Sequence, residues 1–521
     1  MNSISSWGAN LMGPSASAGG GGSGTSGCSR RASAPLKARY TRTVAIVGAG
    51  ASGTLTAIQL LRNATPDDLL EIRLVDPSSD TGRGVAYSTT ANEHLLNVPA
   101  AKMSAFPDEP GHFLRWLADR GTPAEPPEFV PRKWFGDYLE TTLQAAAATS
   151  HAKLIRVYEQ VVELTEREPG YTVRLSSGRR FRAATVVLAM GSPRSDRAWA
   201  PVELLESDRF IADPWVGSDI DDRCRDAGTI VLVGTGLTMV DVALTLTGKK
   251  SAAPRPTLRA VSRRGLLPRA HRLNPAAPAS PPDIPDGPLS LSEARDLISA
   301  HISEGRAECG DWRPAFDSLR PITNELWSRL SPEDKREFMT TDVRQWDVLR
   351  HRMAPESAAS INELRESGEL VVHCGSIAAT DETEDTLVVT LSGGEMIAAD
   401  VVIDCTGPAL MSEHAGTGEL LLSYVMSAGL VRPHELDTGL DVSDRGAAIR
   451  RDGTDNANLL VIGPTRRGSL WETTAIPEIR VQAQELAVAL TGTKVTPPRR
   501  SLPVHDLYDL QLSTTADAAN F

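Results

Sequence analysis

The sequence has no paired cysteines. Its five, Cys28, Cys224, Cys309, Cys374 and Cys405, are scattered without C-x-x-C spacing. That excludes a zinc ribbon and a dithiol redox centre, and an odd set of lone thiols fits a reducing compartment. The chain also lacks a basic surplus. Its 54 Lys and Arg stand against 66 Asp and Glu, for a net charge of −12, where a general nucleic-acid binder would be basic. No apolar run reaches the ~20 residues that span a membrane. The N-terminal region has no apolar core of an export signal, and Arg30-Arg31 leads into Ala-Ser-Ala-Pro instead of one. Neither a metal-ligand cluster nor a protein nucleophile stands out. These absences predict a soluble, cytoplasmic protein that works on small molecules, with no metal, no nucleic acid and no membrane among its partners. At 521 residues it is long enough for two or three domains.

What is present is glycine at the ends of apolar runs. In Thr43-Val-Ala-Ile-Val-Gly-Ala-Gly-Ala-Ser-Gly53 a buried strand ends at Gly48, Gly50 and Gly53, and a helix-forming segment follows. Gly48 permits the tight turn, Gly50 leaves room for a pyrophosphate, and Gly53 lets helix and strand pack closely. Glu71-Ile-Arg-Leu-Val-Asp76 reads as the next strand, ending in the acid that binds adenosine ribose hydroxyls in such folds, or in a solvated turn carboxylate. A second unit follows at Thr229-Ile-Val-Leu-Val-Gly-Thr-Gly236, with Met239 where a third glycine is usual. Its next strand, Thr257-Leu-Arg-Ala-Val-Ser262, ends not in an acid but in Arg263-Arg264. An arginine pair there suits the 2′-phosphate of NADP, or is an ordinary exposed charge pair.

Further buried strands, Ala184 to Gly191, Ala399 to Gly407 and Asn458 to Gly463, each end in glycine. The order predicts an α/β fold of two Rossmann-like dinucleotide-binding domains, one inserted into the other. The boundaries read as a disordered Gly/Ser/Ala-rich tail over 1–41, the first domain over 42–206, the inserted domain over 207–375, the return of the first over 376–490, and a C-terminal tail over 491–521. The prolines between Asn274 and Pro288 read as a linker or lid. Asp296 to Ile302 and Glu333 to Arg352 have helical character. Ser52, Arg83, Asn97, Gly191, Gly407, Gly463 and Thr474 join the glycine turns as candidate cofactor contacts. Arg350-His-Arg352 and Arg466-Arg467 would grip an anionic substrate if they face the site; solvated charge or contact with cofactor phosphates is the other reading. His351 is a candidate general base or proton relay, or a structural histidine.

Together, Gly82-Arg-Gly-Val-Ala-Tyr-Ser88, Leu96-Asn-Val-Pro-Ala100, Val231 to Asp241, Ser262-Arg-Arg-Gly-Leu-Leu-Pro268 and His351-Arg-Met-Ala-Pro355 resemble a family of bacterial FAD/NAD(P)-binding proteins. That family is similar to the two-dinucleotide-domain, flavin-dependent N-hydroxylating monooxygenases, and the resemblance covers residues 42 to 490. It implies an NADPH domain inserted into an FAD domain. Gly48, Gly50, Gly53 and Asp76 would hold FAD; Gly234, Gly236, Ser262, Arg263 and Arg264 would hold NADPH. It also implies that a helix N-terminus passes beneath the flavin after Gly463 to Thr474, with Pro464 in place of the usual acid. Trp471 would wall the ring, or be core. His351, Arg352 and Trp471 are the candidate catalytic residues. The implied activity is an NADPH-consuming monooxygenase that oxygenates a small anionic substrate with O2 through a C4a-(hydro)peroxyflavin. The alternative is a flavin reductase or dehydrogenase without oxygen transfer.

Overall fold

The computed structural model describes residues 42–192, 197–215, 220–248, 255–407 and 420–493, so both expected tails lie essentially outside it. The apolar runs form two parallel sheets. The first has six strands in the spatial order Ala447–Ile449, Asp455–Val461, Thr185–Leu188, Arg42–Val47, Leu70–Val75 and Lys153–Val157, all parallel except the outer Ala447–Ile449. The second has five parallel strands, in the order Leu370–Cys374, Thr257–Ser262, Thr229–Val233, Val401–Asp404 and Phe210–Ile211. Central strands covered on both faces need continuous apolar runs, and Val44, Ala45, Ile46, Ile230, Val231 and Leu232 are all fully buried.

The two sheets repeat one plan. In each, a glycine-ended strand leads to a helix, then to a parallel neighbour. A three-stranded antiparallel ribbon (161–183 or 377–399) then precedes the strand that pairs on the other side. This repeat moves one expected boundary. Val401–Asp404 pairs with the second sheet, Val401 opposite Ile230, so the inserted unit runs to about 407 and not to 375. The first unit resumes with helix Leu420–Ser427, whose Leu421, Leu422 and Val425 pack with Val161 and Leu164. The sequence could not show this, because a buried parallel strand reads the same whichever sheet it joins.

The crossover between Thr257–Ser262 and Leu370–Cys374 carries a helical insert. It comprises Leu291–Cys309, Arg313–Ser318, Thr323–Arg329, Pro332–Thr341 and Val343–Arg350. Ser290 and Glu293 form a reciprocal capping box at its first helix, and Ser331 caps Pro332–Thr341. No described helix is long and apolar enough to cross a membrane, and no metal-ligand group occurs among the described residues.

Candidate nucleotide crevices and the cavity between them

In contrast to those capped helices, the two that follow the glycine turns have no side-chain cap. Gly50 precedes Ala51–Asn63 and Gly236 precedes Leu237–Thr247. Their first N–H groups are left for an acceptor from outside, the usual basis of anion binding at a helix N-terminus. Gly48 has φ +102° and Gly234 φ +106°. A Cβ on Gly48 would lie 2.4 Å from the Ala189 carbonyl oxygen; on Gly234 it would lie 2.5 Å from that of Cys405. Each turn is thus pressed against the end of the neighbouring strand, just before Gly191 and Gly407.

Asp76 stands at the end of its strand, where its carboxylate accepts from the Ala49 N–H (2.7 Å) and the Ser78 N–H (2.8 Å), holding the first turn. Ser52 and Gly463 are adjacent, since a Cβ on Gly463 would lie 2.5 Å from Ser52 Oγ. Arg83 pairs with Asp137 at 2.5 Å. In the second unit Ser262 Oγ meets Thr235 Oγ1 at 2.8 Å, Met239 is fully buried, and Arg263 and Arg264 are exposed.

Between the units lies a cavity of about 260 Å³. Leu237, Val240 and Asp241 of the second glycine-turn helix line one side. Opposite are Tyr87, Asn97 and the start of helix Ile476–Thr491, whose N-terminus also lacks a side-chain cap. The cavity brings together Asn97, His351 and Thr474. It does not include the other two catalytic candidates. Arg352 is 2% exposed and ion-paired to Asp317. Trp471 packs on Trp327, ring centroids 4.6 Å apart, and lines a separate apolar cavity in the helical insert.

Comparison with known proteins agrees with this geometry. Residues 45–193 match a family described as FAD-NAD(P)-binding. Two solved structures share the fold of nearly the whole chain. Ornithine hydroxylase from Pseudomonas aeruginosa gives a TM-score of 0.54 at 14% identity, covering 87% of this chain and 98% of that one. L-lysine 6-monooxygenase from Pseudomonas syringae gives 0.53 at 16%, covering 86% and 98%. Among curated proteins, the uncharacterized YdhS of Escherichia coli is 25% identical over 50% of this chain and 51% of its own length. A nitrosuccinate-forming L-aspartate N-monooxygenase of Streptomyces davaonensis is 26% identical over 49% and 47%. The matches therefore span about half the length of these curated relatives.

The electrostatics around the cavity hold two surprises. First, the arginines expected to grip a substrate are largely held internally. Arg350 makes a bidentate pair with Glu472 (2.7 and 3.0 Å), both nearly buried. Burial alone would raise the Glu472 carboxyl, but Arg350 more than offsets that and holds it below its ordinary range. Arg467 lies over the Trp471 ring, and Arg466 is buried beside the Asp444 carbonyl. Burial brings the Lys102 ammonium, next to the cavity-lining Met103, down to about 8, with Asp317 pulling the other way.

Second, the cavity is bounded by an ion pair the sequence reading missed. Arg132 of the first unit meets Asp241 of the second at 2.5 Å. Trp215 stacks on Arg132, and the buried His94 bonds to the Asp241 carbonyl (3.1 Å) and Thr245 Oγ1 (2.8 Å). Asp241 left one signal, as the single acid in the otherwise apolar and neutral run Leu237–Thr247. Arg132 left none. The His351 ring is held below the usual histidine range by desolvation, with Asp347 at 3.6 Å opposing.

Proposed function

We propose that the protein is an FAD-dependent, NADPH-consuming monooxygenase that oxygenates a small anionic substrate, by N-hydroxylation of an amine. One observation carries this reading: a single cavity is walled by the nucleotide helix of one unit and by the uncapped helix N-terminus of the other. Such a cavity suits a nicotinamide brought against a flavin. The residues fit both groups, with a glycine cradle and free helix N–H groups in each unit. The name of one relative, an L-aspartate N-monooxygenase, supports the anionic substrate class.

When bound, the two cofactors supply the hydride and oxygen chemistry. The chain's own task is to orient, to hold charge and to exclude water. At the start of Ile476–Thr491, Pro477 has no N–H and Glu478 donates to the Ala475 carbonyl, so the Ile476 N–H and the positive end of the helix dipole would be what favours negative charge on a bound ring system. His351, its ring held below the usual histidine range, accepts or returns a proton at its ring nitrogen, and Asn97 would offer an amide to a bound flavin. The Arg132–Asp241 pair keeps the two walls together at one side of the cavity.

The test measures NADPH oxidation, O2 uptake, peroxide and hydroxylated amine together, with L-aspartate first among amino dicarboxylates. Oxygenation requires product to match NADPH consumed, with little peroxide. If every substrate leaves all reducing equivalents in peroxide, oxygen transfer is wrong and the reductase alternative stands.

A further inference from the structure

The second crevice carries more positive charge than its sequence motif announces. Arg344, on helix Val343–Arg350 of the insert, reaches across to the second glycine turn. One terminal nitrogen donates to the Leu266 carbonyl (2.6 Å) and to the carbonyl and hydroxyl of Thr235 (each 3.2 Å). Thr235 lies between Gly234 and Gly236; Leu266 lies on the loop just after Arg263-Arg264. Arg264 is fixed in the same manner, donating to the carbonyls of Thr340 (2.8 Å) and Thr341 (3.0 Å). Arg263 is exposed beside them.

All these acceptors are neutral, so they fix the guanidinium groups without cancelling their charge. The carboxylates nearest these arginines, Asp342 by Arg264 and Asp347 by Arg344, are shared with other cations. Asp342 pairs with Arg295 at 2.6 Å, and Asp347 faces His351 and Arg467. Burial holds the half-buried Arg344 below the usual arginine range; Asp347 opposes this, while Arg264 and Arg263 add to it. Three like charges gathered at one end of a crevice call for a multivalent anion, and fork-shaped donors suit phosphate oxygens. The place is the end of the second strand, where this fold reads the 2′ position of the adenosine ribose.

We propose that Arg344 is a further phosphate-binding residue of this crevice, supplied by the helical insert, and that it reads the 2′-phosphate that separates NADPH from NADH. The inference rests on the NADPH reading above.

Calorimetric titration of the full-length protein with 2′,5′-ADP and with 5′-AMP tests it, because the two probes differ only in the 2′-phosphate. The wild type binds 2′,5′-ADP more tightly. Arg344→Gln, which removes the charge but keeps an amide to bond the carbonyls, reduces that preference by about tenfold or more, the scale of one charge-assisted hydrogen bond. Its 5′-AMP affinity and Tm stay unchanged. Arg344→Lys, with a charge in the same place but no fork, keeps part of the preference; a value as low as that of Arg344→Gln counts against a charge-based role. An unchanged preference in Arg344→Gln, or equal weakening of both probes, overturns the assignment while leaving the NADPH reading intact. A wild type that does not distinguish the probes fails the NADPH reading itself, and the assignment with it.

Discussion

At the scale of single residues, two glycines of similar appearance do opposite work. A Cβ on Gly53 would fall 1.9 Å from the Gly48 carbonyl oxygen and 3.2 Å from Ile46 Cγ2, so the space there is taken by the protein itself. A Cβ on Gly236 would meet nothing within 4 Å, so that space is left for something else. Gly53→Ala should therefore cost roughly 1–3 kcal/mol or more, as overpacking does, and should lower both Tm and flavin content after reconstitution. Gly236→Ala should keep its Tm and lose nucleotide affinity. Equal Tm for the two variants would contradict this division. Both turns were legible in the sequence because a missing Cβ is a property of the residue. The pairing of Arg350 with Glu472 was not, because 122 positions separate the partners and nothing local points from one to the other.

At the scale of elements, the strands announced themselves and the helical insert did so only in part. Helix Pro332–Thr341 buries none of its residues fully, so it has no apolar stripe to give a strong period. The helical character read over Glu333 to Arg352 is divided in the structure between this helix and a second one, Val343–Arg350, with a break at Asp342. The elements that matter most for the site are helix Arg132–Thr149 and helix Leu237–Thr247, joined across the cavity by Arg132 and Asp241. Side chains 15% and 10% exposed make this a largely desolvated pair. Removing one partner strands the other, at a typical cost of about 3–5 kcal/mol, whereas replacing both with apolar groups is often neutral. Asp241→Leu should thus lower the urea midpoint sharply, and Arg132→Met with Asp241→Leu should restore most of it. Oxygenation in the double variant should become leaky, with peroxide rising relative to product, if the pair also shuts water out.

At the scale of the whole molecule, the insertion of one nucleotide unit within another was readable from the order of the motifs, but its far edge was not. That edge depends on which sheet accepts Val401–Asp404, a matter of long-range pairing. The same long-range closure has placed a buried and a half-buried histidine against the junction of the two units. His94 sits against Asp241 of the second unit. His271, from the inserted unit, donates to the Asn97 carbonyl at 3.1 Å and packs on Phe129. Burial brings the His271 ring down to about 3, with nearby Arg352 helping and Asp317 opposing; burial also lowers His94 and His434. In the unfolded chain these rings take up protons near pH 6.5. The folded chain therefore binds fewer protons than the unfolded one below that pH, and stability must fall as pH drops from about 6.5. Each such ring contributes a slope approaching about 1.4 kcal/mol per pH unit until its folded pKa is reached. Carboxylates held low by partners, such as Glu472, weigh in only nearer their own range, while Asp241 and Asp404, raised by burial, take up protons earlier in the folded chain and oppose the histidines over part of the fall. Urea midpoints should decline between about pH 6.5 and 5. His271→Gln, whose amide still donates to Asn97, should flatten the decline by about one proton's worth without lowering stability at pH 7. A slope the same as wild type would mean that His271 is not held neutral at the junction.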